Sequence, residues 1–165
     1  MQKHWMFIVY IIFILSSAFG EDLPYIPNYG VRCMRCICTA TIGDCDLTLG
    51  CKEGYCGPFR ISRVYWIDAG NITLPQDTPE RNNAYEDCAL EYNCAQRILL
   101  GYFHQYARDC NSDGVTNCDD YAMLHVNGRG QCHPPVNRTE RGKAWWDKYT
   151  KCDPLDRAEF RFQQF

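Results

Sequence analysis

After its first twenty residues the chain contains no long apolar run. Nothing there approaches the ~20 consecutive apolar residues that a bilayer-crossing helix needs, so a further membrane span is excluded. It also lacks a basic stripe: 17 Lys and Arg stand against 20 Asp and Glu, a formal charge of −3. That balance removes the usual electrostatic grip on nucleic acid or an anionic membrane, and it differs from the cationic proteins that attack anionic bacterial walls. No internal repeat or low-complexity segment is present. The single C-x-x-C, at Cys33 and Cys36, does not recur as a second knuckle, which argues against a zinc module.

Cysteine, in contrast, is abundant. All twelve (Cys33, Cys36, Cys38, Cys45, Cys51, Cys56, Cys88, Cys94, Cys110, Cys118, Cys132 and Cys152) follow the N-terminal apolar stretch. Residues 1–20, with Lys3 ahead of an apolar core and with Ala18 and Gly20 at a small-x-small site, read as a secretory signal peptide. Its removal takes away only Lys3 among the charged residues, leaving 16 basic against 20 acidic side chains, or −4. The remaining length of about 145 residues fits one domain. An even cysteine count in an oxidising compartment predicts up to six disulfides, whose connectivity the sequence leaves open. Two sequons, at Asn71 and Asn137, agree with an extracellular glycoprotein and with surface positions.

Residues 21–32 carry Pro24, Pro27 and Gly30 and read as an extended lead-in to a domain over 33–152; residues 153–165 form a C-terminal tail. The cysteine-dense segment to Cys56 reads as a short helix and turns. Residues 57–70 (GPFRISRVYWIDAG), rich in β-branched and aromatic residues, predict a strand running into a turn. Residues 71–84 are a polar, proline-containing loop. From Cys88 to Tyr106 apolar side chains recur every three or four positions, which predicts the central core helix, with a break near Asn93. A last helix is predicted over 139–151, capped by Thr139, with Trp145 and Tyr149 on one face.

Residues 109–120 (DCNSDGVTNCDD) match a calcium-loop spacing. Asp109, Asn111, Asp113, Val115, Asn117 and Asp120 occupy positions 1, 3, 5, 7, 9 and 12, with Gly114 at the sharp turn. A structural calcium is the expectation and no other cofactor is required; the alternative is a polar inter-helix loop.

The stretches CMRCIC, CGPFRISRVYWIDAG, CALEYNCAQ, GYFHQYA, YAMLHVNGRGQC and WWDKYTKC follow one another as in the invertebrate-type lysozymes, the destabilase family, which the chain resembles over roughly residues 31–152. The resemblance implies a single, disulfide-rich, lysozyme-like α+β domain, mostly helical with a small β-hairpin beside a saccharide cleft. It also implies a secreted protein that meets peptidoglycan or a related amino-sugar polymer in defence or digestion. Ala69 and Ile98 stand where the family carries two cysteines, as though one bridge had been removed.

Retaining glycosidases use two carboxyl groups about 5–5.5 Å apart. By the resemblance, the family's acid position falls on Thr41 counted from Cys38, or on Ile42 counted back from Cys45, and the loop that carries its partner is shortened to KEGY, with Glu53 as the sole carboxylate. Asp44 and Glu53 are the substitutes an active enzyme would need. The family is also linked to isopeptide cleavage by a serine and a basic partner; those places hold Tyr55 and Ser62, and only His125 matches. The resulting expectation is a lysozyme homologue that binds peptidoglycan through aromatics such as Tyr65 and Trp66, with cleavage lost. An active lysozyme or an isopeptidase is the alternative.

Overall fold

The computed structural model describes residues 24–43, 45–133 and 135–152. The signal-peptide, C-terminal-tail and Asp44 readings lie outside those residues. Helix α1, Val31–Ile42, begins after Gly30 and buries Cys33, Met34, Cys36, Ile37, Cys38 and Ala40. The lead-in is therefore more than an extended arm: Val31 and Arg32 already belong to α1, Ile26 is buried, and the Tyr29 ring packs edge-on against Phe103 and Tyr121.

Three two-residue strands follow: β1 (Cys51–Lys52), β2 (Tyr55–Cys56) and β3 (Ile61–Ser62). They form one antiparallel sheet, with Lys52 opposite Tyr55 and Cys56 opposite Ile61. The strand expected over 57–70 ends at Ser62. Its hydroxyl accepts the Tyr65 N–H at 3.2 Å, and this cap turns the chain into helix α2, Arg63–Asp68. A capped start outweighs the β preference of the residues after it, because it satisfies a donor that the first helical turn otherwise leaves open.

The loop over 71–83 holds no helix or strand, as expected. Helices α3 (Ala84–Leu90) and α4 (Tyr92–Tyr106) then meet at Glu91. The break falls two residues before the expected one because the Glu91 carboxylate caps the second helix, accepting from Asn93 and Cys94 N–H groups. Helix α5 spans Cys118–Asn127, a short 3-10 turn covers Val136–Arg138, and α6 runs over Glu140–Lys151 with Thr139 accepting from Gly142 N–H at 3.0 Å. Around the buried face of α4 gather Phe59, Ile61, Tyr121, Leu124 and Tyr149, all 0% exposed.

All twelve cysteines are paired: Cys33–Cys118, Cys36–Cys152, Cys38–Cys45, Cys51–Cys56, Cys88–Cys94 and Cys110–Cys132. The first two fasten α1 to the start of α5 and to the end of α6. Ala69 and Ile98 lie in the same core, and a Cβ built on Gly101 would come within 2.6 Å of the Ala69 carbonyl oxygen. The end of α2 therefore rests on the turn of α4 that follows Ile98. Ala69→Cys combined with Ile98→Cys is expected to close a seventh bridge, read as no free thiol by alkylation in the double variant and one in each single variant.

Candidate functional site

Thr41 sits in the last turn of α1. Its hydroxyl donates to the Ile37 carbonyl at 2.7 Å and accepts the Trp145 indole N–H at 3.2 Å. Trp145 reaches it from α6, held by a stacked contact with Tyr149 at 5.4 Å and 11°. Both functions of the hydroxyl are satisfied inside the protein. A threonine hydroxyl does not titrate in the range where a carboxyl group donates protons, so this position supplies no general acid.

Glu53 occupies the apex of the β1–β2 hairpin. It and Gly54 are the two loop residues, with φ of 56° and 80°, the positive angles that a two-residue hairpin loop of this hand requires. Its side chain is 68% exposed and lies 3.8 Å from Arg60, which also stands over the Tyr55 ring. The Cys51–Cys56 bridge closes the base of this turn. Glu53 is thus a solvated turn residue with a loose ion pair.

His125, near the end of α5, lies against Tyr65, with Nδ1 3.4 Å from the phenol oxygen and the rings edge to face at 5.5 Å. Burial pushes its pKa down to about 4, partly opposed by a main-chain hydrogen bond at Phe59. Tyr65 in turn stacks on Tyr102 at 3.8 Å, and burial raises its hydroxyl well above the usual phenol range. Tyr102 accepts the Arg129 N–H at 2.8 Å, and the Arg129 guanidinium pairs with Asp68 at 3.1 Å and covers Tyr106 at 5.4 Å. The arrangement is an aromatic stack, Tyr65–Tyr102–Tyr106, with Tyr102 buried and the outer two rings half-buried, edged by an Arg–Asp pair.

Because the folded state holds His125 neutral, unfolding takes up a proton between the folded value near 4 and the ordinary value of 6.5. Stability is full above about pH 6.5 and falls as pH drops toward 4, by at most about 3 kcal/mol. Urea denaturation at successive pH values checks this: His125→Gln is expected to flatten the acid limb.

Of the two expected saccharide contacts, Trp66 is corrected. It is 3% exposed, and its indole N–H donates to the Ile72 carbonyl at 2.6 Å, so it offers no face to a ligand. The spacing that suggested a platform belongs to α2, whose one buried residue is this tryptophan. The isopeptidase positions offer no nucleophile either: Tyr55 is a β2 phenol, and the Ser62 hydroxyl is used as a helix cap.

The 109–120 loop is held by its own side chains. Asp120, 1% exposed, accepts N–H groups from Cys110, Asn111 and Asn117. Asp109 accepts from Ser112, Asp113 and Gly114, while Asp113 takes the Val115 N–H and the Asn111 amide. Asn117 caps α5 through the Asp119 N–H. These oxygens serve the main chain, and among the described residues no three His, Cys, Asp or Glu side chains converge as metal ligands. The same Asx spacing that would hold an ion thus also satisfies backbone donors of the loop. A melting temperature raised by millimolar calcium and restored by chelator is the outcome the calcium expectation requires, and no change would leave a self-capped turn.

Sequon residue Asn137 is exposed on the 3-10 turn, and Asn71 is half-buried after α2. Sequence reasoning missed Trp145 as the partner of Thr41 and the Arg129–Asp68 pair at the aromatic stack. The only signal in the chain was composition, WWDKY and the aspartate of YWID, with nothing to join them.

The destabilase family model matches residues 30–152. A lysozyme of Ostrea edulis is 34% identical over 111 residues, covering 65% of this chain and 72% of the relative. Invertebrate-type lysozyme 3 of Caenorhabditis elegans is 29% identical over 105 residues, covering 61% of this chain and 73% of the relative. Among solved structures, the crystal structure of Tapes japonica lysozyme is similar with a TM-score of 0.56 at 25% identity, covering 77% of this chain and 94% of that one. With a mostly helical body, a three-stranded sheet, six disulfides and a family match across nearly all of the described residues, the chain belongs to the destabilase family and is a lysozyme-like protein.

Proposed function

We propose that this protein is secreted and binds peptidoglycan or a related β-1,4-linked amino-sugar polymer without hydrolysing it. The observation that carries the reading is Thr41: at the acid position stands a hydroxyl already bonded to Ile37 and Trp145. Hydrolysis with retention needs a protonated carboxyl group on one side of the sugar and an ionised one on the other. Glu53 remains, exposed at a hairpin apex, and it has no described carboxyl partner across a cleft. Support for retained binding comes from the lysozyme relatives, with Tyr65 and Tyr106, both half-buried, as the rings of the aromatic stack that keep surface.

The six bridges and the leader-like N-terminus support an extracellular site. No helix among the described residues is long and apolar enough to cross a membrane. Sedimentation with insoluble peptidoglycan, run beside a cell-wall clearing assay on the disulfide-intact protein, tests the reading. Co-sedimentation without clearing is expected. Clearing that Asp44→Asn or Glu53→Gln abolishes would establish relocated catalysis instead.

A further inference from the structure

A second cleft of about 370 Å³ opens between the start of α5 and the face of α6, and its lining includes neither Thr41 nor Glu53. Met123 and Val136, each 6% exposed, supply an apolar floor, and Trp146 forms one side. Asp119 is the carboxylate in this lining. Asp119 is half-buried, and its Oδ1 accepts the Tyr149 hydroxyl at 2.8 Å, which leaves Oδ2 as the oxygen outside that bond. His133 lies on the rim, its Nδ1 3.2 Å from the Cys110 carbonyl.

The electrostatics favour one kind of guest. Burial holds the Asp119 carboxyl above its ordinary range, the Tyr149 hydroxyl opposes this, and the neighbouring charges of Asp120 and Asp113 add to it. A cation beside Oδ2 offsets that like-charge repulsion. A bare metal ion would need several oxygen ligands and would gain nothing from an apolar floor. A neutral sugar would leave the carboxylate uncompensated in a field of like charge. An organic ammonium meets both halves of the site, since its charge pairs with the carboxylate or the indole face and its carbon chain covers apolar surface.

We propose that this cleft binds a primary ammonium group carried on a short aliphatic chain, the ammonium at Asp119 Oδ2 and the chain along Trp146, Met123 and Val136. The site is separate from the peptidoglycan reading and can fail or stand without it.

Isothermal titration of the full disulfide-intact protein tests the assignment with Nα-acetyl-lysine amide, its uncharged analogue Nα-acetyl-norleucine amide, 1,5-diaminopentane and a neutral chito-oligosaccharide. Asn137 shares the lining, so the protein is produced in a host that adds no N-glycan, which keeps the asparagine amide intact. Saturable binding of the lysine amide is expected, with the norleucine analogue and Asp119→Asn each weakening it about tenfold or more, the loss of one charge-assisted hydrogen bond. If the diamine binds and the lysine amide does not, the cleft takes free amines, which still upholds the ammonium assignment. Trp146→Leu, with its melting checked, is expected to weaken binding severalfold and guards against a mere folding defect in Asp119→Asn. Equal binding of lysine and norleucine amides, unchanged binding in Asp119→Asn of native melting temperature, preference for the saccharide, or no saturation with either amine would overturn the proposal.

Discussion

Purified, disulfide-intact protein is expected to clear a bacterial cell-wall suspension at least about a thousandfold more slowly than a family lysozyme carrying both carboxyl groups. General acid catalysis alone contributes roughly 10²–10⁴ in rate, and here the acid position holds a hydroxyl engaged by Ile37 and Trp145. Whatever clearing remains should be insensitive to Glu53→Gln, because that side chain stands in solvent at a turn. Thr41→Glu alone should not restore activity. The new carboxyl would meet the Trp145 indole N–H where the hydroxyl now does, a donor that favours the ionised form, and it would still lack a second carboxylate. Turbidity loss with the wild type beside both variants decides the matter: a wild-type rate within tenfold of an active relative would remove the non-catalytic reading.

Replacing the Cys36–Cys152 pair by alanines is expected to have the largest effect on stability. The two residues are 116 apart in sequence, but the Cys33–Cys118 bridge already draws the chain together. The loop that the second bridge adds runs through the three residues from 33 to 36 and the thirty-four from 118 to 152. Chain entropy for a loop of that size gives roughly 4 kcal/mol, within the 2–5 kcal/mol usual for removing a native disulfide from a small secreted domain. In a domain of this length that lowers the melting temperature by about 10 °C. Calorimetry on the double alanine variant, with the other five bridges verified by mass mapping, measures it. A fall below about 2 °C would mean that the packing of α1 on α6, with Tyr149 fully buried, holds the end of the chain without the bond.

Local signals carried well from sequence to structure. Thr139 caps α6 where a capping residue precedes a periodic run, the stripe over Tyr92–Tyr106 is the buried face of α4, and the even cysteine count closed into six bridges. What failed locally failed where two preferences compete. RVYWID is β-prone by composition, yet it follows a serine able to cap, and the cap decides. The DCNSDGVTNCDD spacing, by contrast, serves an ion and Asx turns alike, so it marks the loop without choosing between them. Of the proposed site, the chemistry of Thr41 was legible as a side chain unable to act as a general acid, while its bonds to Ile37 and Trp145 were not. The Trp145 that closes over it lies 104 positions away, on a helix whose orientation depends on disulfides that no spacing rule pairs.

The placement of α1 also sets a problem of timing. Two of its cysteines wait for partners 85 and 116 residues downstream, while Cys45, Cys51 and Cys56 become available almost at once. Synthesised from its N-terminus in an oxidising compartment, the chain meets its wrong partners before its right ones exist. Thiolate exchange then becomes the slow step of maturation, on the seconds-to-hours scale of disulfide reshuffling, and an isomerase would govern its yield. Helix α1, tied early only by Cys38–Cys45, is therefore among the first segments made, while two of its three bridges must wait for the end of the chain.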